Sequence, residues 1–178
     1  MSGWRPGEKR PDRESMLRVN QAGEYGATRI YAGQLAVLGR SSTAAHQIAR
    51  MAAQEQRHLE RFDRMMAERR VRPTALQPLW SIAGFALGAA TALLGPKAAM
   101  ACTVAVEEVI DEHYRQQSRK LGADEAPLRA KIEKFRADEL EHRDAGLAHG
   151  AEQAPAYPLL TGAIKAGSRL AIWLAERI

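Results

Sequence analysis

A single cysteine, Cys102, stands in the whole chain, so neither an intrachain disulfide nor a cysteine-based metal site can form. Its neighbours Ala99, Met100, Ala101 and Thr103 mark it as a small packing residue. Aromatics are scarce at 6%, β-branched runs are few and alanine is abundant, a balance that favours helices over sheets. No Gly-x-Gly-x-x-Gly fingerprint is present, so the sequence offers no recognisable dinucleotide fold. Basic residues form no stripe with interleaved aromatics, which argues against a nucleic-acid partner. The N-terminal stretch lacks the apolar core of a signal peptide, and Glu8, Asp12 and Glu14 are foreign to a transit peptide. Residues 1–14 therefore read as a flexible polar arm on a protein that is not exported.

What remains is enough for one domain, residues 15–178, with a full core: 46% of the 178 residues are hydrophobic and 26% are charged. The net charge of +5 and a pI near 9.7 are compatible with nucleic acid, with an anionic membrane surface or with no charged partner at all. Apolar spacing predicts a first helix over 15–38, with Leu17, Asn20, Glu24, Ala27, Tyr31 and Leu35 on one face. Gly23, Gly26 and Gly33 inside it suggest close helix packing. Gly39 and Ser42 then supply a helix stop and an N-cap. A second helix over 43–70 carries Ile48, Glu55, His58, Phe62 and Met65 inward. Its outer face, with Arg57, Glu60, Arg61, Asp63 and Arg64, reads as an ordinary solvated surface.

Between Pro73 and Val106 the only charge is Lys97. Within the segment 79–95, residues 79–94 would make a helix ~24 Å long, short of the ~30 Å hydrocarbon core of a bilayer. It can be a core helix, a helix dipping into one leaflet or lining an apolar pocket, or a short span. After Pro96 a helix carries Met100, Val104, Glu107 and Tyr114 on one face. Asp124 can cap the next helix, which has Pro127 in its first turn and runs to about His149. Its face is Leu128, Ile132, Phe135, Glu139, His142 and Gly146. A last amphipathic helix over 159–178 joins Trp173 to Lys165, Arg169 and Arg177, a combination suited either to a membrane interface or to docking on the bundle.

Carboxylates on these apolar stripes are costly to bury unless something compensates them. The two halves of the chain supply them in the same order. Glu24 precedes Glu55 by 31 residues and Glu107 precedes Glu139 by 32, while Tyr31 and Tyr114 each follow the first glutamate by seven. Glu55-x-x-His58 and Glu139-x-x-His142 are the two Glu-x-x-His pairs, and three-residue spacing puts both partners on one helix face. Two helical hairpins, each giving one Glu and then Glu-x-x-His, match the four-helix, ferritin-like carboxylate bundles that hold two iron or manganese ions. Oxygen donors with one imidazole per metal favour iron or manganese over zinc. Asp138 is positioned either to orient His58 or to make a surface salt bridge.

The stretches Gly23-Glu24-Tyr25-Gly26-Ala27, Cys102-Thr103-Val104-Ala105-Val106-Glu107-Glu108 and Asp138-Glu139-Leu140-Glu141-His142 resemble the demethoxyubiquinone hydroxylases of ubiquinone biosynthesis. Ala154-Pro155-Ala156-Tyr157 and the Ala171–Arg177 end are also similar to that family, and the resemblance spans about 12–178. It implies an O2-dependent di-iron monooxygenase acting on the ring of a polyprenyl demethoxyubiquinol. Glu24, Glu55, His58, Glu107, Glu139 and His142 would then be ligands of two iron ions. His113 and Tyr114 match family residues near the site, where electron or proton delivery is implied. The resemblance further implies a peripheral protein on the cytoplasmic face of a bacterial inner membrane. Its partners would be the quinol, O2, an unidentified electron donor and other ubiquinone-biosynthesis proteins. The competing reading is a ferritin-like ferroxidase or an iron-binding protein without ring hydroxylation.

Overall fold

The computed structural model describes residues 13–39 and 42–178. Six helices form an all-α bundle: α1 (Arg13–Leu38), α2 (Thr43–Arg69), α3 (Gln77–Leu93), α4 (Pro96–Lys120), α5 (Ala126–Ala148) and α6 (Tyr157–Ala175). Two short 3-10 turns, Ala123–Glu125 and Ala151–Gln153, precede α5 and α6. There are no strands among the described residues. The predicted arm falls on residues 1–12, which lie outside the described residues, and on Arg13 and Glu14, which already belong to α1.

The punctuation follows local chemistry. Gly39 has φ +69° after α1, and the Ser42 side chain accepts from the Ala45 N–H at 3.1 Å to cap α2. Gly95, at φ +107°, followed by Pro96 separates α3 from α4. One expectation fails: Asp124 does not cap α5. It sits inside the 3-10 turn, and its carboxylate pairs with Arg13 across the chain. The last helix also starts earlier than expected, at Tyr157, and stops at Ala175.

Helix α1 packs on α2, and α4 on α5, while α3 lies on α1 and α6 mainly on α4. Neither α3 nor α6 touches α2 or α5. The molecule therefore has an α2/α5 side and an opposite α3/α6 side. Of the four apolar clusters among the described residues, the two largest fill the interior of the bundle. One holds Tyr31, Ile48, Met51, Met100 and Val104; the other holds Leu17, Phe62, Met65, Tyr114, Leu128 and Phe135. On each long helix the buried glutamate falls between members of these clusters, or beside one, so the polar residues occupy the middle of the bundle.

The α1–α3 contact depends on backbones meeting. A Cβ on Gly88 would lie 1.9 Å from the Ile30 carbonyl oxygen, and one on Gly33 would lie 2.1 Å from that of Phe85. Close packing thus explains Gly33, as the sequence suggested, but not Gly23 or Gly26. A Cβ at either would meet nothing within 4 Å; both line an apolar cavity instead.

The outer faces and ends of α3 and α6 expose Leu79, Ile82, Leu93, Leu159, Leu170 and Trp173, with Ile82 at 72% and Leu159 at 76%. Among the described residues no helix is long and apolar enough to cross a membrane. The cations of α6 turn inward to α4: Lys165 pairs with Glu108, and Arg169 with Glu112 at 3.3 Å.

Gly88→Ala forces two backbones apart and is expected to destabilise the fold by about 2 kcal/mol or more. Gly162→Ala on α6, where a Cβ meets nothing within 4 Å, should be neutral or stabilising by up to about 1 kcal/mol. Urea midpoints of the two variants check the pair.

Candidate metal centre

Helices α1, α2, α4 and α5 each bring one fully buried glutamate to the middle of the bundle: Glu24, Glu55, Glu107 and Glu139. The i, i+3 spacing carries His58 and His142 with Glu55 and Glu139. These six side chains form two groups in which one donor atom per residue lies within 4.8 Å of the others. The first is Glu24, Glu55, His58 and Glu139; the second is Glu55, Glu107, Glu139 and His142. Glu55 and Glu139 are common to both groups. Two cations held here would share those carboxylates, each keeping one further glutamate and one imidazole.

The imidazoles aim the same ring nitrogen inward. His58 Nδ1 stands 3.3 Å from Glu139, 3.5 Å from Glu24 and 3.7 Å from Glu55. His142 Nδ1 stands 2.8 Å from Glu55, 3.5 Å from Glu139 and 3.8 Å from Glu107. Yet both Nδ1 atoms, both oxygens of Glu55 and Glu139, and one oxygen each of Glu24 and Glu107 are buried without a properly aligned hydrogen bond. Buried polar atoms are normally satisfied. Donors crowded together but not bonded to one another fit a shared partner between them, and oxygen-rich sets with imidazole suit iron or manganese.

The surrounding bonds are crossed between the two halves. Tyr31 on α1 donates to Glu107 on α4 at 2.8 Å, and Tyr114 on α4 donates to Glu24 on α1. Each tyrosine thus fixes the glutamate that begins the other half's set. Burial and the nearby carboxylates push both phenols well above their usual range, so both remain protonated donors. His58 Nε2 lies 3.0 Å from Asp138, the orienting contact that the sequence left open against a salt bridge; Lys134 shares the same carboxylate oxygen at 3.0 Å. His142 has no such orienter: its Nε2 is buried without a partner.

Of the eight residues singled out in the sequence, His113 alone stands apart from the carboxylates. Its Nε2 accepts from the Gln117 amide at 2.7 Å, and Gln117 in turn accepts from Asn20 at 2.8 Å. Burial, with help from Lys120, lowers its pKa to about 4, so it is a neutral acceptor. Its ring lies beside that of Tyr114, with centroids 6.3 Å apart. Tyr31 was not among the expected site residues. Its match to Tyr114 in the repeat was the available signal.

Without cations the centre would balance itself with protons. Burial and its neighbour Glu55 raise Glu24 to about 8; burial together with Glu55 and Glu107 raises Glu139 well above the carboxylate range. Burial opposes charge on His142, but Glu107, Glu139 and Glu55 outweigh it and push the ring up to about 12. His58 rises likewise through Glu139, Glu24 and Glu55. Burial alone would raise Glu55, yet the two imidazoles hold it down.

The family described as "Ubiquinone biosynthesis protein COQ7" matches residues 11–175. The chain is similar to the 3-demethoxyubiquinol 3-hydroxylase of Rhodospirillum rubrum, 61% identical over 97% of this chain and 82% of that protein. The human mitochondrial NADPH-dependent 3-demethoxyubiquinone 3-hydroxylase is 55% identical over 93% of this chain and 77% of its own length. The mitochondrial 5-demethoxyubiquinone hydroxylase of Saccharomyces cerevisiae is 43% identical, with 93% and 78% covered.

Because Glu55 and Glu139 belong to both groups, Glu55→Gln or Glu139→Gln should lower the divalent metal the chain can hold from about two ions toward none. Glu24→Gln or Glu107→Gln should leave about one. Elemental analysis of the purified variants checks this. Metal uptake must also displace protons from the raised glutamates and histidines. Titration of metal-free protein with Mn2+ or Fe2+ in weakly buffered solution should release protons, and affinity should fall as pH is lowered.

Proposed function

This chain belongs to the COQ7 family of ubiquinone-biosynthesis proteins, and from that premise we propose that it hydroxylates the ring of a polyprenyl demethoxyubiquinol, using O2. The observation that carries the reading is the pair of overlapping, buried Glu/His groups, with the sequence neighbours of Glu24 and Glu107 lining an apolar cavity. In this reading the bundle is ferritin-like, built from two repeated hairpins within one domain, and Glu24, Glu55, His58, Glu107, Glu139 and His142 bind two iron ions. The irons, when bound, supply O2 activation and the redox equivalents for inserting one oxygen atom.

The chain's own residues do the rest. A cavity of about 540 Å³ runs between α1, α3, α4 and α6. Its walls include Gly23 and Val106, the neighbours of Glu24 and Glu107, together with Ala27, Ile30, Ile110 and Ile164. Such walls suit a quinol ring with an isoprenoid tail and keep bulk water from the reacting ring. Gly23 and Gly26 widen the passage beside Glu24. The exposed apolar residues lie on α3 and α6, the same two helices that help wall the cavity, which supports a lipid substrate arriving from a bilayer. The protein then works at a membrane surface without a spanning helix, on the cytoplasmic face of a bacterial inner membrane in this reading.

Tyr31 and Tyr114 are positioning residues: by donating to Glu107 and Glu24 they restrict how each carboxylate can turn. Asp138 accepts from His58 Nε2–H, which fixes the tautomer that leaves Nδ1 free to bind metal. His113, neutral and bonded to Gln117, can pass a proton only by way of Tyr114 or the Gln117–Asn20 chain. The human relative's name, NADPH-dependent, supports a reduced nicotinamide as the electron source.

Iron-loaded protein supplied with a short-chain demethoxyquinol, a reductant and 18O2 should give ring-hydroxylated product carrying one 18O atom. Iron oxidation without ring product would instead indicate a ferroxidase. Gly26→Leu, which narrows the cavity without touching a ligand, should raise KM for the quinol about tenfold or more while iron content stays unchanged.

A further inference from the structure

The α2/α5 side, opposite the apolar α3/α6 face, carries a second concavity whose basic residues the hydroxylase reading leaves unused. It has a volume of about 390 Å³, within the range of small-molecule sites. Its rim is cationic: Arg57, Arg61 and Arg64 follow one another along α2, and Lys131 and Lys134 face them from α5. Asp138 is the one carboxylate in the lining, and Lys134 and His58 already share it.

Mixed-charge helix faces usually neutralise themselves through i, i+3 and i, i+4 pairs. This one does not. Glu60 and Asp63 are within reach along α2, but Glu60 accepts from Gln56 and Asp63 from Gln21. Arg57 donates to its own helix at the Ala53 carbonyl, and Lys131 donates to the Met65 sulfur. Among the described residues, Arg57, Arg61, Arg64 and Lys131 have no carboxylate partner. Four uncompensated cations converging on one recess raise the local anion concentration, and three of them are guanidinium forks suited to bidentate phosphate recognition.

We propose that this recess between α2 and α5 binds the phosphates of a nucleotide from the aqueous phase. Lipid headgroups are the wrong source, because the recess opens away from the exposed apolar residues of α3 and α6. The floor is Phe135, whose ring lies 4.4 Å from that of His58. His58 itself lines the recess, so a nucleotide there would sit beside a residue of the metal centre. The proposal is read by binding rather than turnover, so it stands or falls separately from the hydroxylase reading.

The test is calorimetric titration of the iron-loaded full chain with ADP, NADPH and inorganic pyrophosphate at low salt. Arg61→Ala/Arg64→Ala removes two exposed, unpartnered side chains, and Arg115→Ala/Arg119→Ala on α4 is the charge-matched control. All three probes should bind, weaken with added salt, and bind about tenfold or more weakly to the α2 double variant but equally to the control. Binding of vesicles rich in anionic lipid should be the same for wild type and the α2 variant. Absence of probe binding, equal losses in both double variants, or selective loss of vesicle binding in the α2 variant would each overturn the proposal. So would a recess that binds an acidic protein and none of the three nucleotide-like probes.

Discussion

Four carboxylates buried within a few ångströms of one another are the constraint on which this bundle depends. Leaving water costs each of them several kcal/mol, and their mutual repulsion adds to that cost. Two imidazoles alone satisfy the group only partly, and several oxygens and both inward ring nitrogens find no aligned partner. Two cations between the groups would answer both problems, by neutralising charge and by giving each orphaned donor a bond. The chain bears a local electrostatic burden there, and the rest of the fold is arranged to hold it.

That arrangement is visible above and below the centre. Apolar clusters around Met51 and Met100 at one end, and around Phe62, Tyr114 and Phe135 at the other, seal it within the bundle. The crossed tyrosines tie the halves together, since each anchors a glutamate that the other half contributes. The division of sides follows from the same packing. The α3/α6 side is apolar and holds the larger cavity, while the α2/α5 side is cationic and backs onto His58. Lipid-facing and aqueous traffic would therefore reach one centre from opposite directions.

Much of this was legible in the sequence because the site is built on helix periodicity. The six groups of the centre fall on apolar stripes at steps of three, four and seven, and the repeat pairs them before any tertiary contact is known. The element boundaries followed from local chemistry at Gly39, Ser42, Gly95 and Pro96. What periodicity could not supply was the partner of each exposed or half-buried group. Asp124 looked like a cap, but Arg13, distant in sequence, competes for it. Gly23 and Gly26 looked like packing glycines, but their open space borders a cavity whose far wall is α6. The arginines of α2 read as an ordinary surface because their unpaired state depends on α5, which no local window contains.

The most direct measurement is Mössbauer spectroscopy of protein loaded with 57Fe, combined with an iron count per chain. If the proposed di-iron reading holds, with Glu55 and Glu139 common to both groups, about two irons per chain should behave as a spin-coupled pair, diamagnetic at low temperature when both are ferric. A single iron, or two irons behaving as isolated paramagnetic ions, would contradict a common carboxylate-bridged centre.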